Sequence, residues 1–261
     1  DDLPNAFLLN RQNEIVLKIT DGDHVQIRVT IPQLASEAFN VTFVFDNDPQ
    51  TLGVCLIVVG KDSCTTDSIL ALGWHWDANG VAQNPRVIKA FRPEGTLIGL
   101  TGPITVLPRP VVMVHGFISN AETWQPYLGA AGFLAPLGIT GFAVGDRQVP
   151  GALNTGDMFN PVGRTNSIAQ NAEILKQYIS GVKQKTGAEM VDLVVHSMGG
   201  MISRYYIHRV MQDRDVAQLI MLGSPMGGSD CAVLPAARGF YLPASIEIRE
   251  SYMRGGFNRQ I

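Results

Sequence analysis

In the run Val194-Val195-His196-Ser197-Met198-Gly199-Gly200, an apolar stretch gives way to small residues immediately after a serine. The pattern reads as a strand entering a sharp turn that opens a helix, which lifts a hydroxyl clear of its neighbours. A serine hydroxyl is a poor nucleophile at neutral pH. It becomes useful when it is exposed, held still and set against a base. Gly199 and Gly200 let strand and helix backbones approach closely. The position two before the serine, glycine in G-x-S-x-G, is Val195 here, so the motif is a variant. The turn is expected to put the Met198 N–H at a helix N-terminus, where it can donate to an oxyanion. A second donor is expected from the loop after the apolar run Val111 to Val114. That loop begins His115-Gly116-Phe117. Gly116 lets the chain turn inward, and the Phe117 N–H completes the pair. The chemistry these parts suit is acyl transfer through a serine ester.

The base is harder to find. After Ser197 the sequence holds one histidine, His208, eleven residues on. On the same helix that is roughly 16 Å along the axis, whereas a base must lie within about 3 Å of the hydroxyl. His208 therefore reads as a helix-surface residue. His115 and His196 precede the serine. The acid is open too: Asp230 is a candidate, while Glu247 and Glu250 read as solvated helix charges.

Two regions of different grammar must position these groups. Residues 1–105 read as a small all-β, sandwich-like domain. Short β-branched runs such as Val25 to Val29, Val41 to Phe45 and Val54 to Val59 are separated by turn signals such as Asp21-Gly22-Asp23 and Asn79-Gly80. Trp74-His75-Trp76 is expected in a strand. The tryptophans read as core or rim packing, with stacking on a sugar or lipid as the alternative. Residues 106–261 read as an α/β domain. Strands at Val111 to Val114, Thr140 to Val144, Val191 to Val195 and Ala217 to Leu222 alternate with helices near 121–131, 167–186 and 198–211. That alternation predicts a mostly parallel sheet flanked by helices.

Three segments together resemble the α/β-hydrolase superfamily, in its bacterial triacylglycerol lipase and esterase branch. They are Val112 to Phe117, Asp192 to Gly200, and Leu222-Gly223-Ser224-Pro225-Met226-Gly227-Gly228. The resemblance implies Ser197 as nucleophile and Phe117 and Met198 as oxyanion donors. It implies that His115, Gly116, His196 and Gly199 support the two loops. In such proteins the acid and then the histidine follow the serine along the chain. The resemblance therefore implies that both lie beyond Ile261, on a continuing segment or on a second chain left by nicking near Gly255-Gly256.

Composition narrows the function classes. Of 261 residues, 46% are hydrophobic and only 16% charged, which favours a large buried core. A net charge of −3 gives no basic field for nucleic acid. The most apolar region, Leu97 to Phe117, is broken by Pro103, Pro108 and Pro110, so no transmembrane segment is expected. Cys55 and Cys64 flank Gly60-Lys61-Asp62 and could close a hairpin with a disulfide, as in an exported protein. Cys231 is left over, either free or paired outside this sequence. An Asp1-Asp2 start without methionine leaves a removed targeting segment or an internal start open. No metal-ligand spacing appears. No cofactor or catalytic metal is expected, and a structural calcium stays open. The expected function is a secreted carboxylic-ester hydrolase acting on ester or lipid substrates. The alternatives are an acyltransferase using the same serine, or a hydrolase-like binding protein.

Overall fold

The computed structural model describes residues 4–261. The chain divides into two compact units, Asp1–Pro108 and Arg109–Ile261.

The first unit is all β. Its strands are β1 (Ala6–Leu9), β2 (Lys18–Thr20), β3 (His24–Thr30), β4 (Phe39–Phe45), β5 (Thr51–Ile57), β6 (Ser63–Thr65), β7 (Ile69–Leu70), β8 (Ile88–Phe91), β9 (Leu97–Leu100) and β10 (Thr105–Leu107). One antiparallel sheet runs β1-β3-β6, with β7 also on β3, and another runs β5-β4-β8-β9. A short parallel pair joins β2 and β10. Period-two alternation turns Val25, Ile27 and Val29 of β3 and Val41 and Phe43 of β4 inward to one shared core. Cys55 and Cys64 form a disulfide. It links β5 of one sheet to β6 of the other rather than closing a hairpin, because the chain changes sheets between them. Trp74-His75-Trp76 is not in a strand either. Asp77 Oδ1 accepts from the Asn79 and Val81 N–H groups, and that turn leaves Trp76 only an isolated bridge to Ala82. Trp74 is buried with its ring edge-on to Phe45, which is the packing role expected for it.

The second unit has the α/β-hydrolase-type architecture. Four parallel strands, β11 (Val111–Val114), β12 (Gly141–Ala143), β13 (Val191–His196) and β14 (Val216–Leu222), lie in the order β12-β11-β13-β14. All four β11 residues are buried, as a strand covered on both faces requires. Helix α1 (Ile168–Thr186) is bounded by local chemistry. Ser167 and Gln170 form a capping box at its start, and Gly187 ends it in the left-handed region. Its buried face, with Ala172, Leu175, Tyr178, Ile179 and Val182, packs into the core under the sheet. The Tyr178 hydroxyl donates to the Ala143 carbonyl and to Asp146, tying α1 to the end of β12.

Three details differ from expectation. The segment after β11 is a 3-10 helix, Ala121–Tyr127, holding Pro126 inside it; proline removes the N–H an α-helix needs. Helix α2 (Met198–Tyr205) gives way to a π turn over Tyr206–Val210, where the Tyr206 hydroxyl donates to Asp215. Glu247 is not a solvated charge. It is half-buried, and its carboxylate accepts the Ile168 N–H at 2.6 Å, capping α1 from outside. Burial pushes its pKa up, against the lowering effect of hydrogen bonds from Ile168 and Tyr252.

Candidate active site

Strand β13 ends at His196 and α2 begins at Met198, so Ser197 is the whole turn between them. It has φ 53° and ψ −124°, a strained conformation for a residue with a side chain. Its N–H donates to the Leu222 carbonyl at 3.0 Å, and its carbonyl accepts the Gly200 N–H at 3.0 Å. The strain is therefore held from both sides. Val195, at the usual glycine position, has its side chain fully buried in the core of this unit.

Two glycines make the turn possible. A Cβ on Gly199 would lie 2.6 Å from the Val114 carbonyl oxygen, so α2 can abut the end of β11 only without a side chain there. A Cβ on Gly116 would lie 2.7 Å from Ser197 Cβ and 3.2 Å from Ser197 Oγ. The loop after β11 thus runs directly past the serine hydroxyl.

The Phe117 and Met198 N–H groups make no hydrogen bond among the described residues. Met198 opens a helix, where the first N–H groups have no intrahelical partner. Unpaired N–H groups in a loop that passes a serine hydroxyl and at the start of the helix it leads suit an oxyanion hole. Phe117 packs its ring edge-on to Tyr241, with centroids 5.4 Å apart.

The motif histidines occupy different settings. His115 is buried, with Nδ1 3.2 Å from the Gly116 carbonyl, and burial lowers its pKa. A neutral ring donating through Nδ1 fits that contact. His196 is exposed at the end of β13, and His208 is exposed on the π turn. No histidine hydrogen-bonds to Ser197 Oγ among the described residues. Asp230 lies exposed on a 3-10 turn, and Cys231 beside it is a free, exposed thiol.

Nothing in the sequence pattern pointed to the bonds made by Thr155 and Thr165. The Thr155 hydroxyl donates to the Gly116 carbonyl at 2.8 Å, and the Thr165 hydroxyl to the Tyr241 carbonyl at 3.2 Å. Their partners lie 39 and 76 residues away, with no local pattern to announce them. Among the described residues no group of three His, Cys, Asp or Glu side chains gathers as a metal site, and no helix is long and apolar enough to cross a membrane.

A parallel sheet with this strand order, and a serine alone in the turn from β13 to α2, make an α/β-hydrolase-type fold. Residues 166–243 match the family model described as a PGAP1-like alpha/beta domain. Among solved structures, the chain is similar to Bacillus licheniformis lipase BlEst2. The mature form is 20% identical over 58% of this chain and 59% of that one, with a TM-score of 0.42. The propeptide form is 19% identical over 58% of this chain and 32% of that one, with a TM-score of 0.45. A crystal structure of a membrane phospholipase A, described as a bacterial virulence factor, is 17% identical over 52% of this chain and 34% of that one, with a TM-score of 0.28. The match thus spans 59% and 32% of the two lipase chains.

Proposed function

We propose that this protein is a serine carboxylic-ester hydrolase working through an acyl-enzyme. The observation that carries the reading is Ser197 in its strained turn, beside a loop that offers the unpaired Phe117 N–H and at the head of a helix that offers the unpaired Met198 N–H. Ser197 Oγ attacks the ester carbonyl, its proton passes to a base, and the two N–H groups receive the charge that develops on the carbonyl oxygen. Collapse expels the alcohol and leaves an acyl-serine, which water then hydrolyses. The base is a histidine oriented by a carboxylate, both supplied by residues outside this sequence, on a further segment or a second chain. In support, His115 is buried against its own loop, and no described histidine bonds to the hydroxyl.

The acyl-binding cleft or lid is assigned to the stretches 145–164 and 229–243, the second of which carries Phe240, Tyr241 and Leu242. Met158, Phe159 and Val162 project into solvent, Phe159 with 92% of its surface exposed, as a lipid-facing loop would. Export fits the Cys55–Cys64 disulfide, since such bonds persist in oxidising compartments.

The test is hydrolysis of p-nitrophenyl esters of graded chain length by the native full-length protein and by Ser197→Ala. The reading expects the variant to lose at least about a thousandfold in kcat. Undiminished hydrolysis by Ser197→Ala overturns it.

A further inference from the structure

We propose that Thr155 is a positioning residue for the oxyanion donor at Phe117, an assignment that rests on the reading of Ser197 as nucleophile. Thr155 is fully buried on the loop between β12 and α1. Its hydroxyl donates to the Gly116 carbonyl at 2.8 Å, and its own carbonyl accepts the Ile118 N–H at 3.2 Å. One residue therefore grips the chain on both sides of Phe117, while the Phe117 N–H itself stays unpaired among the described residues.

Peptide planarity gives this grip its consequence. The Gly116 carbonyl and the Phe117 N–H belong to one trans peptide plane and point in opposite directions. Holding the carbonyl therefore fixes where the N–H points. His115 Nδ1 is a second, longer donor to the same carbonyl at 3.2 Å. With two donors on it, the peptide cannot flip without stranding both in a buried place.

The loop also needs holding. Ile118 has φ 50°, a region that β-branched side chains avoid, and Gly116 leaves no room to shift toward Ser197. Strain of this kind persists where the surroundings over-determine it. The Thr155 carbonyl bond to Ile118 and the Phe117 ring contact with Tyr241 supply that constraint.

The experiment compares Thr155→Val and Thr155→Ser in the native full-length enzyme. Both keep the backbone bond to Ile118; only serine keeps the hydroxyl. Readouts are kcat and KM on a p-nitrophenyl ester, the rate of fluorophosphonate labelling at Ser197, and Tm. Removing an oxyanion donor outright costs about 10²–10³ in kcat, so misaiming one is expected to cost about tenfold or more. Thr155→Val should show that loss in kcat and in labelling rate with KM nearly unchanged, and Thr155→Ser should recover most of it. If Thr155→Val does not fold, Thr155→Ala, which needs less space, takes its place with the same expectation. A valine variant that loses Tm but keeps kcat overturns the proposal, as does a serine variant as slow as the valine one. If Ser197→Ala stays active and Ser197 never labels, the underlying site reading falls and this assignment falls with it. If Ser197 is essential and Thr155→Val is neutral, only the positioning role fails.

Discussion

Replacing Gly199 by alanine adds one methyl group where helix α2 meets the end of β11. The new Cβ would lie 2.6 Å from the Val114 carbonyl oxygen and 2.8 Å from that of His115. Ordinary contact starts near 3.4 Å, so one backbone must retreat by about 0.8 Å. Neither obstacle is a side chain that can swing aside. Forcing extra volume into such a place typically costs about 1–3 kcal/mol. The catalytic cost should be larger. The retreat separates the first turn of α2, which carries the Met198 N–H, from the loop after β11, which carries the Phe117 N–H. A misplacement on the order of 1 Å can cost about 10²-fold in rate. The assay is urea unfolding beside steady-state ester hydrolysis on the same preparation. The expected result is a loss of about 1–3 kcal/mol in stability and at least about a tenfold fall in kcat. A variant that loses stability but keeps kcat would show that these two N–H groups do not act on the reacting oxygen. One that loses neither would show that the close approach of α2 to β11 is wrong.

Two further expectations concern the scaffold. The Cys55–Cys64 bond spans 9 residues, and chain entropy assigns a loop of that size about 2–3 kcal/mol. Cys64→Ser should therefore lower the urea midpoint of the β unit, read by Trp74 fluorescence, and reductant should do the same to the natural protein; an unmoved midpoint contradicts the bridge. Glu247 has a pKa raised above 4.5 by burial, so its ionisation costs stability as pH rises from 4.5 through the raised value. Glu247→Gln should therefore gain Tm relative to the natural protein as pH rises from below 4.5 to neutral; a constant or shrinking difference refutes the sign.

Much of the scaffold was legible because local chemistry wrote it. Ser167 with Gln170 marks the start of α1 and Gly187 its end, and the four apolar runs of the α/β unit appear as its four parallel strands. The serine turn was legible for the same reason: strand, small residues and helix are adjacent in sequence. Long-range partners were not. Glu247 looks like any helix-surface carboxylate until α1, 79 residues earlier, places its first N–H against it. Thr155 sits in a stretch without periodicity, and only the folded loop brings it to Gly116. The Trp74-His75-Trp76 run has strand propensity, but in the fold it holds only an isolated bridge, Trp76 to Ala82, across the turn at Asp77.

The measurement that bears most directly on the central claim is fluorophosphonate labelling of the native full-length protein, followed by peptide mass spectrometry. The account predicts a single modified residue, Ser197, with labelling abolished in Ser197→Ala and ester hydrolysis lost in step with labelling. An active protein whose Ser197 stays unmodified, or a label that settles on another residue and still stops hydrolysis, would contradict it.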